Sequence, residues 1–215
     1  MEKLEKQYFE VQKDKEKKAI KQIEKIELDG NKKLDLTLFI LGKKEAVQLG
    51  SYDVIESEDH RKELQKEFQL EFDIIKKVLD KFELSYDTKG INENKGILGF
   101  SFLATHDNDS LQKIKEAAKK EDDKIFGLMM GYPETAVNTY NTKEALNMEE
   151  DLSEEEQKYI KDNNIEPFID FMPSKTHWRE EIEHVRQNQA LIKEKSPELF
   201  RQIIEDYKKR TELES

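Results

Sequence analysis

The sequence predicts an α+β fold: a small mixed or antiparallel sheet of about four strands, flanked by long helices and followed by a helical C-terminal third. Three observations carry this. Between Ser57 and Phe82, the residues Leu64, Phe68, Phe72, Ile75, Leu79 and Phe82 repeat in steps of four and three, the stripe of a long helix. Leu70, Ile74 and Val78 widen the stripe, as suits a helix lying centrally on a sheet. Around it, "LDLTLFIL" (34–41), "LSYDT" (84–88) and "GILGFSFLAT" (96–105) carry the short apolar patterns of strands. From Pro173 onward, two amphipathic helical patterns follow one another across a Ser196-Pro197 junction.

Each element follows from local signals. Residues 2–27 form a charged helix with scattered apolar positions (Leu4, Tyr8, Val11, Ile20, Ile23, Ile26), stopped by the Asp29-Gly30-Asn31 turn signal. Its apolar register breaks through Lys15, Glu16, Lys17 and Lys18, which leaves the first half to lie on the body or on a second subunit. Gly42 ends the strand read over 34–41, and "EAVQLGSYDVI" gives a second strand or a short connection. The next two strands meet around the Gly90–Gly96 turn region. Asp107, Asn108, Asp109 and Ser110 form a capping cluster that opens a helix running to about Met130.

The block "FGLMMGYPETAV" (126–137) then reads as a helix–corner–helix joint. Gly131 suits the left-handed residue after a helix end, and Pro133 stands where that helix cannot continue. Tyr132 packs at the bend, and a new helix runs from about Glu134 to Leu146. Ser153 and Glu156 make a capping box in the acidic connector. "PFIDF" reads as a short strand or an extended segment. In the last two helices Trp178, Ile182, Val185 and Ile192, then Leu199, Phe200, Ile203, Ile204 and Tyr207, face inward. The organisation is an N-terminal charged helix (1–30), an α+β core (31–147) and a mainly helical lobe (148–215) packed on that core as one domain.

Composition narrows the chemistry. Of the 215 residues, 40% are charged and 35% hydrophobic, with signs alternating as on solvated helix faces; eleven Phe and seven Tyr argue against disorder. A net charge of −11 argues against nucleic acid as a partner, because phosphate neutralisation needs a basic surface. The absence of cysteine excludes disulfides, thiolate catalysis and Cys-ligated zinc or iron–sulfur clusters. No apolar stretch approaches the ~20 residues of a membrane span, and Met1 leads into a charged helix rather than a signal peptide. The expectation is a cytoplasmic protein with no membrane partner.

Few side chains stand out as chemistry. Walker, dinucleotide-fingerprint, HExxH and GxSxG motifs are missing. In "HWREEIEH", His177, Glu181 and His184 fall at i, i+4 and i+7 on one helical face, a weak metal candidate, since three ligands on one straight helix need another element to converge on an ion. His106-Asp107 lies at a strand-to-helix junction, a common ligand position, although helix capping is the better account of Asp107. No metal or other cofactor is expected.

At "DKIFGLMMGYPETAV" the chain resembles an uncharacterised, mostly archaeal family of unknown function whose members carry G-Y-P-x-C-C-V there and P-C-x-x-x-C before a later helix. "PSKTHWREEIEHVRQNQALI" is similar to that second segment, and the resemblance covers roughly residues 98–205. Gly131, Tyr132, Pro133 and Val137 match the signature. The family's cysteine positions fall on Thr135, Ala136, Ser174 and Trp178. Two cysteine pairs imply a metal or cluster site, so their joint replacement implies that this chain has lost what they held. The resemblance also implies that these four positions come together in space.

The expected function is a non-catalytic binding or scaffolding protein that acts on a protein partner or a small molecule, with a homo-oligomer formed through the N-terminal helix. The alternative is an enzyme or small-ligand protein with a pocket around His106, Tyr132, His177 and Trp178. The candidate binding residues across both readings are His106, Tyr132, Thr135, Ser174, His177 and Trp178.

Overall fold

A tight hairpin forms the centre of the fold. In the computed structural model, which describes residues 2–213 and side chains from Lys13 onward, strands β2 (Ser85–Asn94) and β3 (Ile97–Thr105) pair antiparallel across Lys95 and Gly96. Both turn residues sit at positive φ, 51° and 79°, the backbone twist that suits a two-residue hairpin loop. Strand β1 (Ala46–Val54) adds antiparallel on the other edge of β3, so the sheet order is β1-β3-β2. Alternation along β3 sends Leu98, Phe100, Phe102 and Ala104 to one face. Helix α3 (Glu58–Lys81) covers that face, with Phe68 and Phe72 edge-on or tilted against Phe100 and Phe102. Its ends match the sequence signals: the Ser57 hydroxyl accepts from the His60 amide, and Phe82 is the C-cap.

The sheet has three strands rather than about four, because residues 34–41 are helical. Helix α2 (Gly30–Ile40) is capped by Asp29, whose side chain accepts from the Lys32 amide. Lys33, Leu34, Leu36, Thr37, Leu38 and Phe39 are all buried, so apolar residues are needed on nearly every face. A helix buried on all sides carries a continuous apolar run, which periodicity cannot tell from a buried strand. The Asp-Gly-Asn signal is thus a helix start. Gly30 is required there: a Cβ would stand 3.1 Å from the Cα of Ile203 on helix α10 (Pro197–Leu213), and the Gly30 amide donates to Asp206 at 2.9 Å.

Helix α1 (Glu2–Ile23) ends in Ile20 and Ile23, which join the main core. The apolar positions Leu4, Tyr8 and Val11 lie outside the residues whose side chains are described. After the short helices α7 (Met148–Asp151) and α8 (Glu154–Asp162), helix α9 (Trp178–Lys195) and α10 contribute Ile182, Val185, Ile192, Leu199 and Ile203 to the same core as the sheet face, so the proposed lobe from 148 onward shares the sheet's hydrophobic cluster. No described helix is long and apolar enough to cross a membrane.

The opposite face of the sheet carries a smaller core. Helices α4 (Asn108–Lys119) and α5 (Asp123–Met129) replace the single helix expected to Met130. The break is at Glu121, which takes φ 54° while the Asp122 amide returns to the Ala117 carbonyl at 2.9 Å. A left-handed residue with that bond pattern ends a helix, and here glutamate fills the position without the glycine that would have marked it. Ile114, Met129, Met130 and Ala46 form this second core, with Leu103, Phe126 and Tyr132 packed against it.

Candidate functional site

The GYP corner is built as its residues require. Gly131 has φ +80°, its amide bonds to Leu128 and the Tyr132 amide bonds back to Gly127, which together close the end of α5. Pro133 caps helix α6 (Glu134–Thr139), which is shorter than the helix expected to Leu146 because Tyr140 and Asn141 turn the chain away, Asn141 at φ 58°. The chain stays in turns through Glu144, the Ala145 amide bonding back to the Thr142 carbonyl, and Ala145 then pairs with Ser174 in an isolated antiparallel bridge. Leu146 N donates to Pro173 O at 2.7 Å, and Lys175 N to Glu144 O at 2.9 Å. "PFIDF" is neither strand nor fully extended; it begins in a 3-10 turn, Glu166–Phe168, and then extends through Phe171.

These segments enclose a cleft of about 1000 Å³. One wall is the corner, with Phe126, Tyr132, Ala136 and Val137; the second is Tyr140, Thr142 and Ala145 to Met148; the third is Ile169 to Pro173. Four rings (Phe126, Tyr132, Tyr140, Phe171) and two methionines (Met148, Met172) line it. Tyr132 and Phe171, both on the lining, are in ring contact at 5.8 Å between centroids, tilted by 41°. The polar groups on the lining are few: Asp123, Asp170, Thr142, Asn147 and the tyrosine hydroxyls.

An ion cluster lies under Tyr132. Lys44, 6% exposed, bonds to Asp35 at 2.6 Å and to Asp170, and its ammonium stands 5.4 Å from the centroid of the Tyr132 ring. Burial pushes the Lys44 ammonium down, but the two carboxylates override it and hold it above the ordinary lysine range. Burial raises Asp35; Lys44 opposes this, the neighbouring Asp170 adds to it, and the carboxyl ends above its usual range. Burial and Asp170 push the Tyr132 hydroxyl up to about 12. Of the three groups only Asp170 is on the cleft lining.

The residues named from the sequence divide around this cleft. Tyr132 lines it. Thr135 is half-buried beside it, its carbonyl accepting from Thr139, while the neighbouring Ala136 is on the lining. Ser174 is fully buried behind Pro173: its amide and hydroxyl donate to the two oxygens of Glu181 at 2.7 and 2.9 Å, and its hydroxyl accepts from the His177 amide. His106 is elsewhere, stacked on Phe39 at 4.0 Å and 7°, with Nε2 3.3 Å from the Phe39 carbonyl oxygen. His177 is exposed next to Glu180, and Trp178 packs on the main core under Arg179. The pocket expected around His106, Tyr132, His177 and Trp178 is therefore centred on Tyr132, and the other three are not on its lining.

The metal candidate His177, Glu181 and His184 does not converge. Glu181 is 1% exposed with both oxygens engaged by Ser174, and His184 Nε2 meets Asn188 at 3.3 Å. Among the described residues no group of three or more His, Cys, Asp or Glu is placed to hold an ion. Nor do the positions of the family's cysteines fit one: alanine and tryptophan offer no ligand, and Ser174 is committed to Glu181. The two resembling segments do approach each other, α6 lying against α9.

Sequence reasoning missed Lys44, Asp35 and Asp170. Both aspartates carried a usable signal, a lone carboxylate inside an apolar run ("LDLTLFIL", "PFIDFM"), which marks a charge that must be buried with a partner. Lys44 carried none, standing in a Lys-Lys-Glu run like many others in the chain. Comparison with family models, curated proteins and solved structures finds no match for this chain.

Proposed function

We propose that this chain is a non-catalytic binding protein that holds a small organic molecule in the Tyr132 cleft. The observation that carries the reading is the combination of a roughly 1000 Å³ concavity, four rings and two methionines on its walls, and a buried ion cluster at its edge. Small-molecule sites are mostly apolar concavities with a few placed polar groups. A lysine held between two carboxylates fixes the position of Asp170 at the cleft, where an orienting group is wanted. The resemblance supports the same place. Ala136, at a position where family members carry cysteine, lines the cleft, and Ser174 directly follows its Pro173 wall. On this reading the chain retains the corner and the cleft while the family's thiolates are gone.

The test is ligand-observed NMR with a library of soluble aromatic and aliphatic fragments, on the wild type and on Met172→Trp, which fills the cleft mouth from a half-exposed position. Fragments should bind the wild type and lose binding in the variant, with the denaturant midpoint unchanged. Binders indifferent to Met172→Trp, or no binder at millimolar concentration, would refute the site.

A further inference from the structure

Resting on that reading, we infer that the cleft selects organic cations, compounds with an ammonium group on an apolar body. The formally charged side chains on the lining are Asp123 and Asp170; it has no Lys, Arg or His. An anionic ligand would meet two carboxylates and no cationic side chain on the walls. A cation meets the reverse. Lys44 binds Asp170 through Oδ2, and no described residue donates to Oδ1, which leaves that oxygen to accept from a ligand ammonium.

The rings favour the same sign. Phe126, Tyr132, Tyr140 and Phe171 present π-faces and edges to the space, and a cation over such a face is attracted by the ring quadrupole. The protein already uses one of these faces in this way, since the Lys44 ammonium stands over Tyr132. The Tyr132–Phe171 pair is tilted by 41° rather than stacked. Asp123 on the rim would draw a cation inward, and the chain's net charge of −11 adds a field of the same sign. The apolar walls take the body of the ligand, with Met148 and Met172 adaptable to its shape.

Three probes of one shape separate the outcomes: phenethylammonium, the neutral 2-phenylethanol and the anionic 3-phenylpropanoate. Each is titrated into ¹⁵N-labelled protein, and binding is read from the amide signals of the GYP corner and residues 169–173. Phenethylammonium should bind tightest and 3-phenylpropanoate weakest, with the cation's affinity falling as salt is raised. Asp170→Asn should weaken phenethylammonium by about tenfold and leave 2-phenylethanol unchanged. Asp123→Asn, on the rim and away from the ion cluster, should weaken it by about threefold without touching the fold. If 3-phenylpropanoate or 2-phenylethanol binds the cleft as tightly as the cation, or if both variants leave the affinity for phenethylammonium unchanged, the cation class falls and the cleft stands. If none of the three moves those signals at millimolar concentration, both fall.

Discussion

Lys44 and Lys32 each lie between two carboxylates, yet the two clusters have different surroundings. Lys32 on α2 bonds to Asp29, to Glu71 of α3 at 2.7 Å and to the Ser51 hydroxyl of β1 at 3.0 Å; Ser51 in turn donates to Glu71 at 2.6 Å. Every partner belongs to an element the fold already packs together, so this cluster pins α2, β1 and α3. Lys44 joins Asp35 of α2 to Asp170, which lies on an irregular segment and reaches a cleft. The Lys44 side chain is 4% exposed against 14% for Lys32. The same trio of charges is a clamp in one place and reaches the edge of a cleft in the other; what stands behind the carboxylate decides which.

The largest effect that sharpens this contrast comes from removing each cation. Lys44→Met leaves Asp35 and Asp170 close together and poorly solvated, and should cost about 3–5 kcal/mol. Lys32→Met leaves carboxylates that reach water more easily, and should cost roughly 1–2 kcal/mol. Urea unfolding at neutral pH measures both, and equal losses would erase the distinction.

A smaller effect tests whether the GYP corner presses on the Lys44 cluster. At Gly131, with φ +80°, a Cβ would stand 2.5 Å from the Lys43 carbonyl oxygen and 3.0 Å from Lys44 Cγ. Gly42 has φ +68° and open space around the same atom. Gly42→Ala should therefore show the backbone cost alone, about 1 kcal/mol, and Gly131→Ala about 2–3 kcal/mol, because residues 43 and 44 must also move. Matching midpoints for the two variants would mean that the corner and the cluster are uncoupled.

The smallest expected effects are slopes with pH, and they have opposite signs. Burial pushes Asp29 up, but Lys32, by hydrogen bond and charge, and Arg210 hold it below 3.8. A lowered carboxyl contributes stability that is present above 3.8 and lost as pH falls through its folded value. Asp35 is raised, so between 3.8 and its folded value the native state binds more protons than the unfolded chain, and its contribution falls as pH rises. Unfolding free energy followed from pH 2.5 to 7 should thus lose its acid limb in part with Asp29→Asn. Asp35→Asn should remove the opposing decline above 3.8. Parallel profiles for the two variants would show that the carboxyls titrate alike.

How much of this was legible depends on where the deciding contact lies. The N-caps at Ser57, Asp107, Ser153 and Ser196 and the left-handed Gly131 were readable because donor and acceptor are three or four residues apart. The α3 stripe was readable from its hydrophobic period, and the β2–β3 hairpin in part, since residues 90–94, read as turn, belong to β2. Residues 34–41 were misread as a strand because burial on every side removes the period that separates helix from strand. The α4–α5 break was missed because Glu121 takes a left-handed angle that only its surroundings make tolerable.

The sequence by itself determined the fold class, the span of α3, the starts of α4 and α10 and the corner at 131–133, all consequences of local hydrogen bonding and hydrophobic period. The tertiary structure decided the site. Asp35 and Asp170 are 135 residues apart and meet only because α2 is a buried helix whose end delivers Lys44 beside the Ile169–Pro173 wall. In a chain with 48 acidic and 37 basic residues, pairing carries no local signature; desolvation by the folded surroundings singles out these three.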